Sequence, residues 1–260
     1  KGANQSAALA LAGAPVFHAG RVGQDGTWLV AGLAQIGVDV SHVLVDPEHP
    51  TGHAVIQVAA VSGENAIVLF SGCNHRIDPD CVQACVSSFG IGDIFLLQNE
   101  INGVPYALEL AAEQGLTVCL NPAPCGPEVA AYPLDRVDLL VVNRTEAAGL
   151  AAGRGGTASA AAAALPPEDL LAGLRPALGS QTEILLTLGS DGAILDGPSG
   201  RFREEAMSAG PVEDTTAAGD TFIGYFLAAR AEGAALPACL RRAAAAAAIC
   251  VTRLGARVSI

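Results

Sequence analysis

Asp214-Thr215-Thr216-Ala217-Ala218-Gly219-Asp220 runs straight into Thr221-Phe222-Ile223-Gly224-Tyr225-Phe226-Leu227-Ala228-Ala229. The apolar run from Phe222 predicts a helix, so residues 217–220 predict a tight turn entering its N-terminus. There the N–H groups that lack an intrahelical partner, together with the helix dipole, attract anions. Small side chains let a bulky anion approach the main chain. Asp220 falls in the first turn, beside the same space. A carboxylate would repel a bound phosphate, but it suits a neutral hydroxyl next to one. That pairing fits phosphoryl transfer, in which a base takes the hydroxyl proton while backbone donors hold the developing charge. A plain N-terminal helix cap is the other reading of Asp220.

Composition narrows the choices. A chain of 260 residues suits one large α/β domain or two small ones. Hydrophobic residues make up 51% and aromatics only 4%, so the core is expected to be Leu, Val, Ile and Ala. A net charge of −12 argues against nucleic acid or an anionic membrane as partner. Lys1 is the only lysine, which excludes a P-loop and a protein-kinase strand lysine. A phosphate site must therefore use main-chain N–H groups and arginine. The seven cysteines lack paired zinc spacing and are expected to be reduced thiols of a cytoplasmic protein. Cys81 and Cys85 fall on one helix face. No segment reaches the ~18–20 apolar residues of a membrane span. His49 and His53 are four apart, but His53 falls on a strand, so no metal site is expected there.

Outward from the opening stretch, short apolar runs alternate with helical patterns. Residues 94–98, 116–120, 139–142 and 183–187 read as buried strands, and 78–87, 104–114 and 169–178 as helices. The alternation predicts an α/β fold with a Rossmann-like, mostly parallel sheet and helices on both faces. In such sheets ligands gather at the carboxyl ends of the strands. Glu100, Asn121 and Asn143 stand just past those ends. Nearer the start, residues 6–11 predict a short helix, 15–20 a strand, 21–26 a turn and 27–35 a helix closed at Gly37. Residues 53–61 and 66–70 alternate as strands joined by a hairpin turn. Gly153-Arg154-Gly155-Gly156-Thr157-Ala158 fits a dinucleotide spacing but follows no strand, which disfavours a dehydrogenase. Residues 153–165 read as a Gly/Ala-rich surface loop running into a helix. The turn 187–192 leads to a strand at 193–195, and 243–251 reads as an alanine-rich helix.

In order and in detail these segments resemble the ribokinase family, the PfkB-type carbohydrate kinases. Residues 214–222 are similar to its C-terminal signature. The resemblance implies that Asp220 is the catalytic base and that Ala217, Ala218, Gly219 and Asp220 form the anion hole. Lys1-Gly2-Ala3-Asn4 resembles part of the family's sugar-binding Gly-Gly-Lys-Gly-Ala-Asn, which implies sugar contacts for Lys1, Gly2 and Asn4. Leu97-Gln98-Asn99-Glu100 resembles Leu-Gln-x-Glu, whose Glu binds sugar alongside Asp220. Asn121-Pro122-Ala123-Pro124 matches the family closely.

Asn143-Arg144-Thr145-Glu146 resembles Asn-x-x-Glu. There Asn143 would reach the nucleotide phosphates and Glu146 would hold Mg²⁺ through water, as suits an ion that keeps several waters. Arg144 stands where the family carries an acid and puts a cation beside that site. Thr187, Leu188, Gly189, Ser190, Asp191 and Gly192, with Gly219 and Asp220, would line the nucleotide. Asp214, Thr216, Cys250, Arg253, Gly255 and Ser259 would enclose a monovalent cation, K⁺. Ala244 replaces the Asn or His usual near the adenine.

The resemblance implies one ribokinase-like domain over residues 1–260, with a small β-sheet lid within about 51–70. The family's first strand and final helix are expected to be lacking. The activity implied is ATP-dependent phosphorylation of a sugar primary hydroxyl, D-ribose giving D-ribose 5-phosphate. ATP, Mg²⁺ and K⁺ are the implied cofactors, and the partners are the small-molecule sugar and ATP. The exposed hairpin offers an edge for a homodimer through the lid. Cytoplasm, with a nuclear pool admitted, is the expected compartment. Two alternatives stand beside this. Arg144, Ala244 and the lacking strand favour a nucleotide-binding pseudokinase or inactive fragment. The same chemistry on fructose or a nucleoside is the other.

Overall fold

Leu139-Leu140-Val141-Val142 is buried on both sides, and its neighbours say why. Leu139 and Val141 pack with Phe226, Leu227 and Leu240. Leu140 and Val142 pack with Leu108, Leu170 and Leu174. Alternate side chains of a strand point to opposite faces, so two helical layers cover one sheet.

The computed structural model describes residues 1–58, 65–153 and 160–260. The first elements are α1 (Gly2–Leu11), β1 (Phe17–Gly23), α2 (Thr27–Gln35), β2 (Asp39–Asp46), β3 (His53–Val58) and β4 (Asn65–Phe70). Then come α3 (Pro79–Val86), β5 (Ile94–Gln98), α4 (Val104–Glu113), β6 (Thr117–Asn121) and β7 (Leu139–Asn143). The rest are α5 (Arg144–Ala151), α6 (Ala160–Ala163), α7 (Pro167–Leu174), β8 (Glu183–Thr187), β9 (Ala193–Gly197), β10 (Gly200–Glu204), α8 (Ala218–Ala231) and α9 (Leu236–Cys250). The central sheet has six strands in the order β10-β9-β8-β7-β6-β5. Strands β5 to β8 are mutually parallel, while β9 and β10 are antiparallel additions. No helix among the described residues is long and apolar enough to cross a membrane.

Two contacts set the geometry around the site. Helix α1 lies directly on α8, where a Cβ at Gly224 would stand 2.4 Å from the Cβ of Ala8. Glycine is what lets the helices touch. Strands β1 and β2 form a separate parallel pair. Phe17, at the start of β1, packs edge-on against Phe89 just ahead of β5, with centroids 5.1 Å apart. Arg21, near the end of β1, reaches Asp78 at the far end of α3 across 2.8 Å. So β1 runs the same way as β5. A cavity of about 1130 Å³ is lined in part by Phe17 and Ala19 of β1 and by Phe95 and Leu97 of β5, with Val86 and Leu227 also on its walls. The six-stranded sheet ends at β5 on this side, and β1 and β2 stay a separate pair.

Several sequence boundaries are corrected. Residues 21–26 are not all turn. Arg21, Val22 and Gly23 belong to β1, paired with Leu44, Val45 and Asp46 of the unanticipated strand β2. The first helix starts at Gly2. The helix expected at 169–178 is α7, which ends at Leu174 before Pro176 tightens the chain into a 3₁₀ turn. The last helix begins at Leu236, with Pro237 in its first turn, well ahead of residue 243. β10 was also unforeseen, a hairpin return from β9. The end of the strand expected at 53–61, residues 62–64 of the hairpin turn, and residues 154–159 of the Gly/Ala-rich segment lie outside the described residues.

Candidate active site

The turn into α8 is built as the sequence suggests. Ala217 sits at φ 64 and ψ 2, the one non-glycine residue at positive φ among the described residues. An alanine in that left-handed well costs roughly 1–2 kcal/mol. The kink ends the extended segment and starts the helix at Ala218. Thr221 N–H closes the first helical bond on the Ala217 carbonyl at 2.8 Å, and Ala218 N–H points to the Thr215 carbonyl at 3.3 Å. The amides of Gly219 and Asp220 remain as the helix-start donors. A Cβ added to Gly219 would meet no atom within 4 Å, so the space in front of it is open.

Asp220 is nearly covered, with its side chain 6% exposed. Asn4 donates to its Oδ2 at 3.0 Å and Gln5 to its Oδ1 at 2.9 Å. Lys1 Nζ lies 3.8 Å from Oδ1. The main-chain nitrogen of Lys1 lies 2.7 Å from Glu100 Oε2. The resemblance assigned Asn4 to the sugar, whereas here one of its N–H groups serves Asp220. Gly2 leaves room for Gln98, whose Oε1 would stand 2.8 Å from a Cβ at that position.

Along the carboxyl edge of the sheet, Asn121 and Asn143 are the last residues of β6 and β7, and Glu100 lies two past β5. Asn121 is buried and donates to the Val141 carbonyl at 3.0 Å. Asn143 and Glu146 form a reciprocal capping box at the start of α5, each bond 2.9 Å. Burial raises the Glu146 carboxyl above its usual range, and the Asp220 charge adds to the rise, while the Asn143 amide and Lys1 oppose it. The two carboxylates therefore lie in each other's field. Arg144 does not stand as an unpaired cation beside Glu146. It reaches Asp191 Oδ2 and the Leu165 carbonyl, both at 3.2 Å.

Thr187 ends β8, and residues 188–192 fold back with Leu188 N–H on the Gly192 carbonyl at 2.8 Å. Gly189 and Gly192 both have positive φ. A Cβ on Gly192 would stand 2.0 Å from the Glu204 carbonyl oxygen, so only glycine fits. Gly189, Ser190 and Asp191 are exposed at the rim. Ala244 is buried in the α8–α9 core.

Behind the turn, Asp214 accepts from Thr216 N–H at 2.8 Å and Gly255 N–H at 2.9 Å. Hydrogen bonds from Thr216 and Gly255 hold its carboxyl below the usual range. Cys250 Sγ lies 3.7 Å from the Thr216 carbonyl and 3.3 Å from Ser259 Oγ. Arg253 joins through its main chain, with N–H on the Cys250 carbonyl at 3.1 Å, and its side chain is exposed. The six residues named from the resemblance thus form one cluster.

The structure brings Lys1, Gly2, Asn4, Glu100, Asn143, Glu146 and Asp220 to one end of the sheet. It also adds Gln5 and Gln98, which sequence reading passed over. Their signal was faint: a buried amide, Gln5, on a helix otherwise rich in alanine.

Comparison with known proteins bears on this arrangement. The pfkB family carbohydrate kinase profile matches residues 1–260. The ribokinase of Haemophilus influenzae is 36% identical over 265 residues, covering 100% of this chain and 83% of that protein. That of Schizosaccharomyces pombe is 35% identical, covering 100% and 82%. Among solved structures, ribokinase from Cryptococcus neoformans var. grubii serotype A in complex with ADP superposes with a TM-score of 0.85 at 31% identity, covering 100% of this chain and 84% of that one. Arabidopsis thaliana ribokinase complexed with ribose and ATP gives 0.82 at 30% identity, covering 100% and 83%.

Proposed function

The chain belongs to the pfkB family of carbohydrate kinases, and from that premise we propose that it transfers the γ-phosphoryl group of ATP to the primary hydroxyl of D-ribose. The observation that carries this reading is Asp220 itself. It stands in the first turn of α8, both its oxygens held by amides, next to Gly219, in front of which the space is open. Ribokinase relatives at 36% and 35% identity support ribose as the sugar.

In the reaction Asp220 accepts the hydroxyl proton as the sugar oxygen bonds to the γ-phosphorus. The bond from that phosphorus to the bridging oxygen breaks and ADP leaves. The Gly219 and Asp220 amides hold the charge gathering on the transferring group. A base of this kind contributes about 10²–10⁴ in rate. Glu100 and Lys1 orient the sugar. The turn 187–192 and Asn143 hold the nucleotide. Glu146 suits Mg²⁺, which needs few direct protein ligands and neutralises the phosphates when bound. The oxygens of Asp214, Thr216 and Ser259 suit K⁺, which would firm the backbone behind the anion hole.

Residues 1–260 act as one kinase domain, with β3 and β4 as the lid over the sugar. Exposed Val55, Val68, Leu69 and Phe70 support lid-to-lid pairing in a homodimer. We place the enzyme in the cytoplasm. The test is ADP release with ribose, fructose and a nucleoside, each with and without K⁺, with the product identified by phosphorus NMR. Ribose-dependent release of ADP and a 5-phosphate product is expected. ATP binding with no sugar-dependent release would reject the reading in favour of a pseudokinase.

A further inference from the structure

We propose that Gln5 is the positioning residue of the Asp220 carboxylate, a role that rests on reading Asp220 as the base. Gln5 is fully buried on α1, where an amide left without partners would be costly. It has partners at every end. Its Oε1 accepts from Gln98 Nε2 at 2.6 Å. Its Nε2 donates to Asp220 Oδ1 at 2.9 Å and to Asn121 Oδ1 at 3.1 Å.

The orientation of each amide follows from groups that only accept. A carboxylate accepts, so the Gln5 end facing Asp220 is the NH₂. Its oxygen therefore faces Gln98, which must donate. At the other end, the Val141 carbonyl accepts from Asn121 Nδ2 at 3.0 Å, so the Asn121 oxygen faces Gln5. The relay touches the ends of β5 and β6 and the middle of β7. Through Gln5 the carboxylate is tied to the carboxyl edge of the sheet as well as to its own helix. Asn4 holds the other oxygen. Without Gln5, Oδ1 would keep, among the described residues, only Lys1 Nζ, 3.8 Å away on a flexible stem. Misplacing a base by a fraction of an ångström lowers the chemical step more than it lowers binding.

The experiment is a double-mutant cycle on the whole chain, with ribose and ATP as substrates. Gln5→Met keeps the length and removes both donors. Its kcat should fall about ten- to hundredfold, with KM for ATP changed by less than about twofold. In an Asp220→Asn background, measured in single turnover, adding Gln5→Met should cost no more than about twofold, because no base is left to position. Gln98→Met, further from the base, should lower kcat a few-fold and carries the test if Gln5→Met does not fold. Near-normal kcat in a folded Gln5→Met, or losses that simply add in the double variant, would overturn the role. Normal turnover in Asp220→Asn alone would instead refute the base, and the inference with it.

Discussion

The side-chain amide of Asn4 donates to Asp220 Oδ2 across 3.0 Å, although 216 positions separate them in the chain. The contact exists because α1 and α8 cross at Ala8 and Gly224 with nothing between them. A residue that the family resemblance assigns to the sugar therefore also steadies the proposed base. Asn4→Leu should lower kcat about ten- to hundredfold, the worth of one hydrogen bond to a charged group, and should also raise KM for ribose. Steady-state kinetics at saturating ATP would check both. A change confined to KM would leave Asn4 as a sugar contact alone.

Gly224 is the second test of that crossing. Gly224→Val forces side-chain atoms into the space of Ala8 and the Leu9 main chain. Overpacking of this kind typically costs about 1–3 kcal/mol. The urea midpoint should fall, and kcat should fall further than stability alone explains, since Asn4 and Gln5 are moved off Asp220. Gly224→Ala should show the same pattern more weakly.

Glu146 separates metal binding from helix capping. Glu146→Gln keeps an acceptor for the Asn143 amide, because Gln serves in a capping box as Glu does. Thermal stability should therefore hardly change. The Mg²⁺ concentration for half-maximal activity should rise by about tenfold as one carboxylate leaves the metal shell. An unchanged Mg²⁺ requirement would remove Glu146 from the metal site.

His18 predicts an acid limb in stability. Burial lowers its imidazole from the usual 6.5 to about 4, and Ser6 Oγ lies 2.8 Å from Nδ1. The unfolded chain takes up the proton first as pH falls. The contribution of neutral His18 is present above about pH 6.5 and is lost progressively toward about pH 4. Urea unfolding of the wild type and His18→Leu between these limits should show their difference shrinking with acidity. A constant difference would contradict it.

Much of the fold was legible because buried parallel strands are short apolar runs. Ile94–Gln98 and Glu183–Thr187 are strands over the residues expected, and Thr27–Gln35 is the expected helix. β2 was missed because Asp39-Val40-Ser41-His42 is polar and its partner is only β1. Arg21 read as a turn residue because the signal of a neighbouring strand is not local. At the site, motif residues were found, but the amides linking them were not. Gln5 and Gln98 lie 93 positions apart, and only the packing of α1 against the sheet edge shows that they meet.

Turnover is expected to depend most on Asp220. The direct measurement is turnover of Asp220→Asn with ribose and ATP, alongside ATP affinity by calorimetry. The expected result is ATP affinity within about twofold of wild type, with kcat reduced by about 10²–10⁴. Turnover within about threefold of wild type, in a protein that binds ATP normally, would contradict the central claim.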